Sequence, residues 1–458
     1  MNTRRGALPL SSVARILLAA LAMGSLLLVP GNAPPTQAAE PQAAATGPSK
    51  YVGPGSCAAS SCHGSVRPRN ETRILQNEYS TWVTQDRHAR SWQVLNNQVS
   101  KNIARILKLS KPAHEDPKCL ACHALNPSAE LRGRVLDMSD GVSCEQCHGP
   151  ASNWLGPHTM KDWQHDKSVA LGMIDLNNIA DRTARCLVCH LGGIERDKFV
   201  DHELIAAGHP DLVFELDSFS AVMPRHWKEP LDKDPWIGAR TWSIGQAVQL
   251  RESMKRLSNR ARGNVWPEYS ELDCFACHHA LTRPEDSWRL VEDGYYRRRR
   301  VGDVPYNSSR FAVFRQLIQS VDKDASSRLE AEYGKVTAQM SSLNPNRDEI
   351  VASAARVAEI SDGLAKRFTT MSYDQATTVR LMKAIAGDAD NISMQGARVA
   401  EQATMAIDSL FAAYTRNGGS NAEAKAAING LYQQLENPTA YNAPRFAEAL
   451  RRVGAAVR

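Results

Sequence analysis

Every cysteine of this chain belongs to one of five pairs, and each pair is followed at once by a histidine. Four pairs have the spacing C-x-x-C-H, and the first is stretched to C-x-x-x-x-C-H. In such a motif the two thiols attach a haem covalently and the histidine binds its iron as the proximal ligand. The sequence therefore predicts five covalently bound haem c groups. Their attachment cysteines and proximal ligands, in chain order, are Cys57, Cys62 and His63; Cys119, Cys122 and His123; Cys144, Cys147 and His148; Cys186, Cys189 and His190; and Cys274, Cys277 and His278.

Two other uses of paired cysteines fit the sequence less well. Zinc sites also use C-x-x-C pairs, but zinc does not require a histidine after every second cysteine. A disulfide framework fits an even cysteine count, but C-x-x-C bridges are strained redox elements and poor structural links. In the first motif the two extra residues must loop outward, and the small residues 58–61 allow this.

The N-terminus has the features of a secretory signal. Arg4 and Arg5 precede an apolar run over about 13–29, which a Pro/Ala-rich stretch follows. We expect residues 1–39 to be a cleaved signal peptide and 40–50 a flexible linker; retention of the apolar run as a short anchor is the alternative. Because haem is attached to such proteins after export, the mature chain is expected to be periplasmic or otherwise extracytoplasmic.

Composition divides the remaining chain in two. All motifs and all nine tryptophans precede Pro305, and no Cys, His or Trp follows it. Residues 51–296 are rich in loop-forming residues, so we expect a pentahaem domain of short helices and loops organised by the porphyrins. Residues 305–458 have apolar residues at helical spacing, as in Ile350, Ala354, Val357, Ile360, Leu364 and Phe368. The predicted fold class is mainly α with little sheet, ending in a bundle of about six helices.

Eight histidines lie outside the motif positions, all in the haem region. A sixth ligand on an iron closes it for electron transfer, whereas an open position binds or transforms a ligand. Six of these histidines are predicted distal iron ligands, namely His88, His158, His202, His209, His226 and His279. If helical, 202–209 would place His202 and His209 on one face. His114 and His165 have the surroundings of solvated residues.

The chain resembles the multihaem cytochrome c superfamily, which includes a tetrahaem carrier linked to hydroxylamine oxidation and the pentahaem nitrite reductases. The matching stretches are 51–53, 141–150, 201–210 and 277–279, within about 50–285. The resemblance implies closely stacked haems with mostly bis-histidine ligation, and it favours His88, His158, His209 and His279 as distal ligands. All five motifs here end in histidine, whereas the nitrite reductases carry a lysine at their catalytic motif, so reductase chemistry does not carry over.

Three functions follow, and the first is favoured. The chain is an extracytoplasmic electron-transfer protein that works between a redox donor and a redox acceptor. Alternatively, it is an enzyme with one open haem that acts on nitrite, hydroxylamine, nitric oxide or a small sulfur compound. A haem-based sensor is the third reading. The net charge of +6 is mild and gives no case for nucleic acid binding. Arg297, Arg298, Arg299 and Arg300 form either a solvated linker or a docking patch for an acidic partner or membrane surface.

Overall fold

The computed structural model describes residues 47–193, 198–274, 277–278, 304–437 and 440–457. Helices and loops account for nearly all of this part of the chain. The described residues form no strand, and two isolated bridges, Tyr51 with Arg132 and Leu272 with Tyr306, are the extended pairings found there. The predicted fold class, mainly α with little sheet, is confirmed.

The first region consists of short helices joined by loops. Its helices are α1 (Glu78–Gln85), α2 (Gln98–Ile106), α3 (Pro117–His123), α4 (Cys144–His148), α5 (His165–Ala170), α6 (Ile179–Leu187), α7 (His202–Ala206) and α8 (Leu216–Val222). Asn and Asp side chains cap several of them; Asn97, Asp116 and Asn178 each accept a hydrogen bond from a backbone N–H in the first turn. Such caps satisfy donors that a short helix otherwise leaves unpaired.

Single turns supplement these helices. They are 3-10 turns at Pro54–Cys57, Arg87–Arg90, Gln93–Asn96, Ala129–Leu131, Met138–Asp140, Pro157–Thr159 and Tyr269–Glu271, and a π turn at Val188–Gly192. Several of the predicted iron ligands lie in these turns and not in long helices. Their positions therefore depend on loop geometry and on the contacts that each loop makes.

One long helix, α9 (Ile237–Arg262), breaks the expectation of short helices before residue 296. It is buried on most of its circumference: apolar Trp242 and Leu250 are buried, and so are polar Gln246 and Gln249. A helix covered on all sides has no single apolar stripe, so hydrophobic periodicity does not predict it.

The second region is helical throughout its described residues. Its helices are α10 (Ala312–Val321), α11 (Lys323–Met340), α12 (Arg347–Thr370), α13 (Gln375–Gly387), α14 (Ala389–Met394), α15 (Ala397–Arg416), α16 (Ala422–Leu435) and α17 (Ala443–Ala456). These are eight helices in the part described, against about six expected. The apolar face of α12 is as predicted, with Ile350, Val357 and Phe368 buried.

Helices α9 to α17 enclose one continuous apolar core, to which Leu187 and Phe214 of the first region also belong. The closest packing within it runs along α9 and α12. The predicted domain boundary falls in 279–303, outside the described residues, and the division into domains remains a prediction. The predicted signal peptide, 1–39, also lies outside them. Within the described residues, every helix is too short or too polar to span a bilayer.

Candidate haem sites

Short helices carry two of the cysteine motifs. Cys119, Cys122 and His123 form the end of α3, and α4 is itself the third motif, Cys144–His148. Residues three apart are neighbours on a helix surface, so both thiols of each pair lie on one side. This is the arrangement that two attachment points on a single planar group require.

The other three motifs use turns. In the fourth, α6 runs into the π turn that contains Cys189 and His190. In the fifth, the backbone N–H groups of Cys277 and His278 both donate to the Cys274 carbonyl oxygen, at 3.2 and 2.8 Å.

The stretched first motif closes through a hydrogen bond from His63 N–H to the Cys57 carbonyl oxygen, at 3.3 Å. Residues 59–61 are exposed. The two extra residues of this motif therefore lie on the outside of the loop.

Cys62, predicted as the second attachment cysteine of the first motif, lies in this turn and not on a helix. Its N–H donates to the Ala59 carbonyl oxygen at 2.8 Å, and its Sγ atom lies 3.8 Å from the hydroxyl of exposed Ser61. The Cys57 thiol instead contacts Cys144, in the third motif. The structure therefore does not give Cys57 and Cys62 the shared helix face that α3 and α4 give their pairs, because the two extra residues separate them. Haem attachment through Cys62 stays a prediction.

Four of the motif histidines face a second imidazole at nearly the same spacing. The ring-centre separations are 6.3 Å for His63 and His158, 6.3 Å for His123 and His209, 6.1 Å for His190 and His88, and 6.2 Å for His278 and His202. A metal between two imidazoles, with bonds of about 2 Å on each side, sets the ring centres about 6 Å apart. Each of these four pairs could therefore hold one haem iron between its two imidazoles.

The pairs differ in how their ring planes are turned. The planes are 10° apart for His63 and His158 and 28° apart for His202 and His278. The other two pairs are close to perpendicular, at 89° each. The orientation of two imidazole ligands affects the orbitals of an iron bound between them. The near-parallel and perpendicular pairs would therefore give different electron paramagnetic resonance signals.

Five of these eight rings have their Nδ1 atom hydrogen-bonded to an acceptor. His63 is 3.0 Å from a Glu78 carboxylate oxygen, and His88 is 3.0 Å from Asp86. Backbone carbonyl oxygens serve His123 (Ser91, 3.0 Å), His158 (Leu155, 2.6 Å) and His209 (Pro210, 2.7 Å). A metal-binding histidine commonly donates its second ring N–H in this way, which fixes the ring and leaves Nε2 for the metal.

His148, the third motif histidine, belongs to none of the four pairs. Its pKa is lowered to about 4, first by burial and then by the charge of His226, which exceeds the influence of any other histidine. His226 has its Nδ1 atom 3.2 Å from the Pro224 carbonyl oxygen, as the paired histidines do. His226 as a distal ligand stays a prediction.

Two histidines use their Nε2 atoms differently. His165 Nε2 lies 3.0 Å from Asp175, and His114 Nε2 lies 3.5 Å from Glu115. Contacts with carboxylates occupy the nitrogen that the paired histidines leave free. Whether they are solvated or support a neighbouring ligand, as the sequence suggested, stays a prediction.

One sequence expectation about the ligands is wrong. α7 ends at Ala206 and Gly208 has a φ of +109°, so His202 and His209 do not share a helix face. The glycine turns the chain in a left-handed conformation that side chains disfavour, and the two imidazoles face different motifs.

Two further predictions cannot be placed. His279, a predicted distal ligand, and the arginine run 297–300 lie outside the described residues. Their roles stay predictions.

The ten cysteines form no disulfide, and thiols of different motifs meet in two places. The Cys57 thiol contacts that of Cys144, a hydrogen bond that lowers the pKa of Cys57. A similar contact with Cys122 lowers the pKa of Cys189 to about 7. Motifs one and three therefore adjoin, as do motifs two and four. Among the described residues, no group of three or more His, Cys, Asp or Glu side chains could hold a metal ion.

Several carboxylates that sequence reasoning missed hold this region together. Glu145, 1% exposed, accepts hydrogen bonds from the N–H groups of Val52, Gly53 and Ala151 and so ties α4 to the N-terminal segment. Asp86 caps the turn of His88 and accepts from its ring. A capping Asp two residues before a histidine was the available signal.

Comparison with known proteins relates the stretch that contains the first three motifs to a cytochrome family. Residues 56–149 match the family of cytochrome c554 and c-prime. This match supports a multihaem c-type cytochrome with covalently bound haem. Cytochrome c-554 of Nitrosomonas europaea is 31% identical over 87 residues, which cover 18% of this chain and 37% of that relative. The chain thus spans little more than a third of that relative's length. No solved structure matches the chain.

Proposed function

We propose that this chain is an exported pentahaem cytochrome c that passes electrons between redox partners through bis-histidine haems. The observation that carries the proposal is the repeated spacing of 6.1–6.3 Å in four imidazole pairs, each containing one motif histidine. Unrelated surface histidines have no reason to repeat a metal-spanning distance four times.

Each iron is assigned a proximal and a distal ligand. The pairs, in motif order, are His63 with His158, His123 with His209, His148 with His226, His190 with His88, and His278 with His202. The first, second, fourth and fifth rest on ring geometry. The third rests on the charge of His226, which lowers the pKa of His148. The sixth distal candidate, His279, is not needed in this scheme.

The residues around the ligands tune and hold them. Haem c, when bound, supplies a one-electron iron couple whose potential depends on ligand identity, burial and nearby charge. Glu78 and Asp86 present carboxylates to the rings of His63 and His88, whereas His123, His158 and His209 face neutral carbonyl oxygens. A carboxylate makes the imidazole a more basic ligand, so the ligand sets differ in donor strength.

The contacts between motifs support electron transfer along the chain. Cys57 meets Cys144 and Cys122 meets Cys189. Because the attachment cysteines define the edge of the group they hold, thiols in contact bring two redox centres side by side. The proposal includes redox proteins as partners and an extracytoplasmic location, both of which rest on the cytochrome relationship and the signal-like N-terminus.

The ligand assignment is tested by removing one distal imidazole. We expect His209→Ala to convert one of the five haems from low spin to high spin in electron paramagnetic resonance, with the haem content unchanged. The matched control is His165→Ala, which removes a histidine from the same region but should leave every haem low spin. An unchanged spectrum in His209→Ala would contradict the assignment.

The enzyme alternative survives at one position. Because His148 lies outside the four ring pairs, its iron is the one where an open site for nitrite, hydroxylamine or nitric oxide would lie. If His226 is the distal ligand, His226→Ala creates one high-spin haem that wild type lacks. A high-spin haem already present in wild type and unaffected by His226→Ala would favour the enzyme.

A further inference from the structure

A small polar cavity lies beside the fourth and fifth motifs, among α9, α15 and the segment before α10. It encloses about 40 Å³, room for about three water molecules or one small oxyanion. The charged and phenolic groups on its walls are Asp211, Arg256, Glu271, Tyr306, Arg310 and Arg398. The Arg256 guanidinium also donates to the carbonyl oxygen of Leu191, the residue after His190, so the cavity wall adjoins the fourth motif.

Positive charge exceeds negative charge around this cavity. Arg256 and Arg260 share one carboxylate, Glu271, which is 2% exposed, and Arg398 pairs with Asp211. Arg310 donates only to neutral oxygens, at 2.8 to 3.0 Å, on Phe214, Leu212 and Gln249. On the cavity walls of the described structure, three guanidinium groups thus face two carboxylates, and Glu271 is also shared with Arg260, which does not line the cavity.

One donor at the cavity also lacks a partner. Arg398 lines the space, and its Nη2 atom is buried and forms no hydrogen bond. A buried charged donor without an acceptor is costly. Burial, and next the charge of Arg256, lower the pKa of Arg310 to about 10, which is the direction expected where a negative charge is missing.

We propose that this cavity binds an anionic oxygen group, held by Arg398 Nη2 and balanced in charge by Arg256 and Arg310. Two sources share this chemistry. One is a carboxylate side chain of a resident haem, a version that rests on the proposed function. The other is a small oxyanion taken from solution, which does not.

Substitution of Arg398 separates the two sources. Arg398→Lys keeps a positive charge beside Asp211 but removes the Nη2 donor, which lowers the risk of misfolding that Arg398→Gln carries. Arg380→Lys, at an exposed position on α13, is the matched control. Haem content is measured on every sample, so a failure of haem attachment is seen separately from a failure of anion binding.

The first readout is equilibrium dialysis of the full-length haem-loaded protein against radiolabelled sulfate at low ionic strength. Saturable binding of one sulfate, weakened at least about tenfold in Arg398→Lys and unchanged in Arg380→Lys, supports a free oxyanion. The second readout is the haem propionate bending band in resonance Raman spectra. A change of this band in Arg398→Lys alone, without sulfate binding, supports the haem carboxylate. If sulfate does not bind and the band is the same in all three proteins, the proposal is overturned.

Discussion

The region of the first three motifs and the helical region from α9 onward are held together by different means. In the first, buried apolar residues form two small clusters, one around Leu95 and Leu120 and one in which Ile103 meets Leu204 of α7, beyond the fourth motif. In the second, a single apolar core runs through α9 to α17. A region with so little apolar core cannot offset its conformational entropy through side chains alone. We therefore expect the first region to depend on its haems for stability and the second to be stable without them.

Preventing haem attachment should have the largest effect and should divide the two regions. In full-length chain produced without the haem-attachment machinery, we expect the amides of 47–178 to lose nearly all protection from hydrogen exchange. Those of α9 to α17 should keep theirs, because that core consists of apolar side chains, with the motif residues Cys186 and His190 packed against it. Exchange measured by mass spectrometry on loaded and haem-free protein reports both. If both regions kept equal protection without haem, the expected difference in their dependence on haem would be wrong.

A substitution that leaves a cavity in the helical core should destabilise the helical region and leave haem ligation in the folded protein unchanged. Phe314 is fully buried and packs edge-on against Phe368, with ring centres 6.3 Å apart. Phe314→Ala should lower the free energy of unfolding of the helical region by about 3–5 kcal/mol. The control Leu343→Ala, at a side chain that is 94% exposed, should change it by less than about 0.5 kcal/mol. Thermal unfolding followed by circular dichroism gives the values.

Haem absorbance followed in the same experiment shows whether the haem region unfolds together with the helical region. We expect the low-spin haem spectrum of folded Phe314→Ala to match wild type. If haem ligation is instead lost at the same lowered temperature as the helices, the two regions unfold as one cooperative unit.

How far the sequence predicted this molecule depends on what each residue's role requires. The buried faces of α12 and α15 could be predicted from spacing. Ile350 and Val357 lie on one apolar stripe of α12, and Ile407 and Leu410 lie on one stripe of α15. Both stripes are buried in the core. α9 could not, since Gln246 and Gln249 are buried along with its apolar residues. Its burial follows from packing on all sides, which no local pattern encodes.

The candidate site shows the same division. The motif cysteines and histidines are fixed by local spacing, so the sequence names them directly. The pairing of His123 with His209 joins residues far apart in the chain, and it depends on the turn at Gly208. The sequence predicted both as ligands and placed His209 on a helix face with His202 if that segment were helical; Gly208 was the local signal that α7 stops at Ala206.

A smaller effect is expected where the fourth-motif region meets the helices. Asp217, at the start of α8, has its pKa raised to about 8 by burial and then by the charge of Glu215. Its carboxyl holds a proton more tightly when folded, so the stabilisation is complete below about pH 4 and is lost as pH rises towards 8. The wild type should therefore lose stability over that window, by at most about 1.4 kcal/mol per pH unit.

Replacing this carboxyl should flatten that dependence. Between pH 5 and 8, Asp217→Asn should gain at least about 1 kcal/mol over wild type in free energy of unfolding. Asp232→Asn, at an exposed position, is the control and should follow the wild-type curve. Urea unfolding at several pH values measures the difference, and parallel curves for Asp217→Asn and wild type would refute the effect.

The most direct test of the account is electron paramagnetic resonance of the oxidised, fully loaded protein, integrated by spin species against total iron. We expect five low-spin haems and no high-spin signal. We also expect two kinds of low-spin signal, because the imidazole planes are near parallel at 10° and 28° in two pairs and perpendicular at 89° in two others. A high-spin signal close to one haem per chain would contradict the closed-carrier account and place an open iron in the molecule.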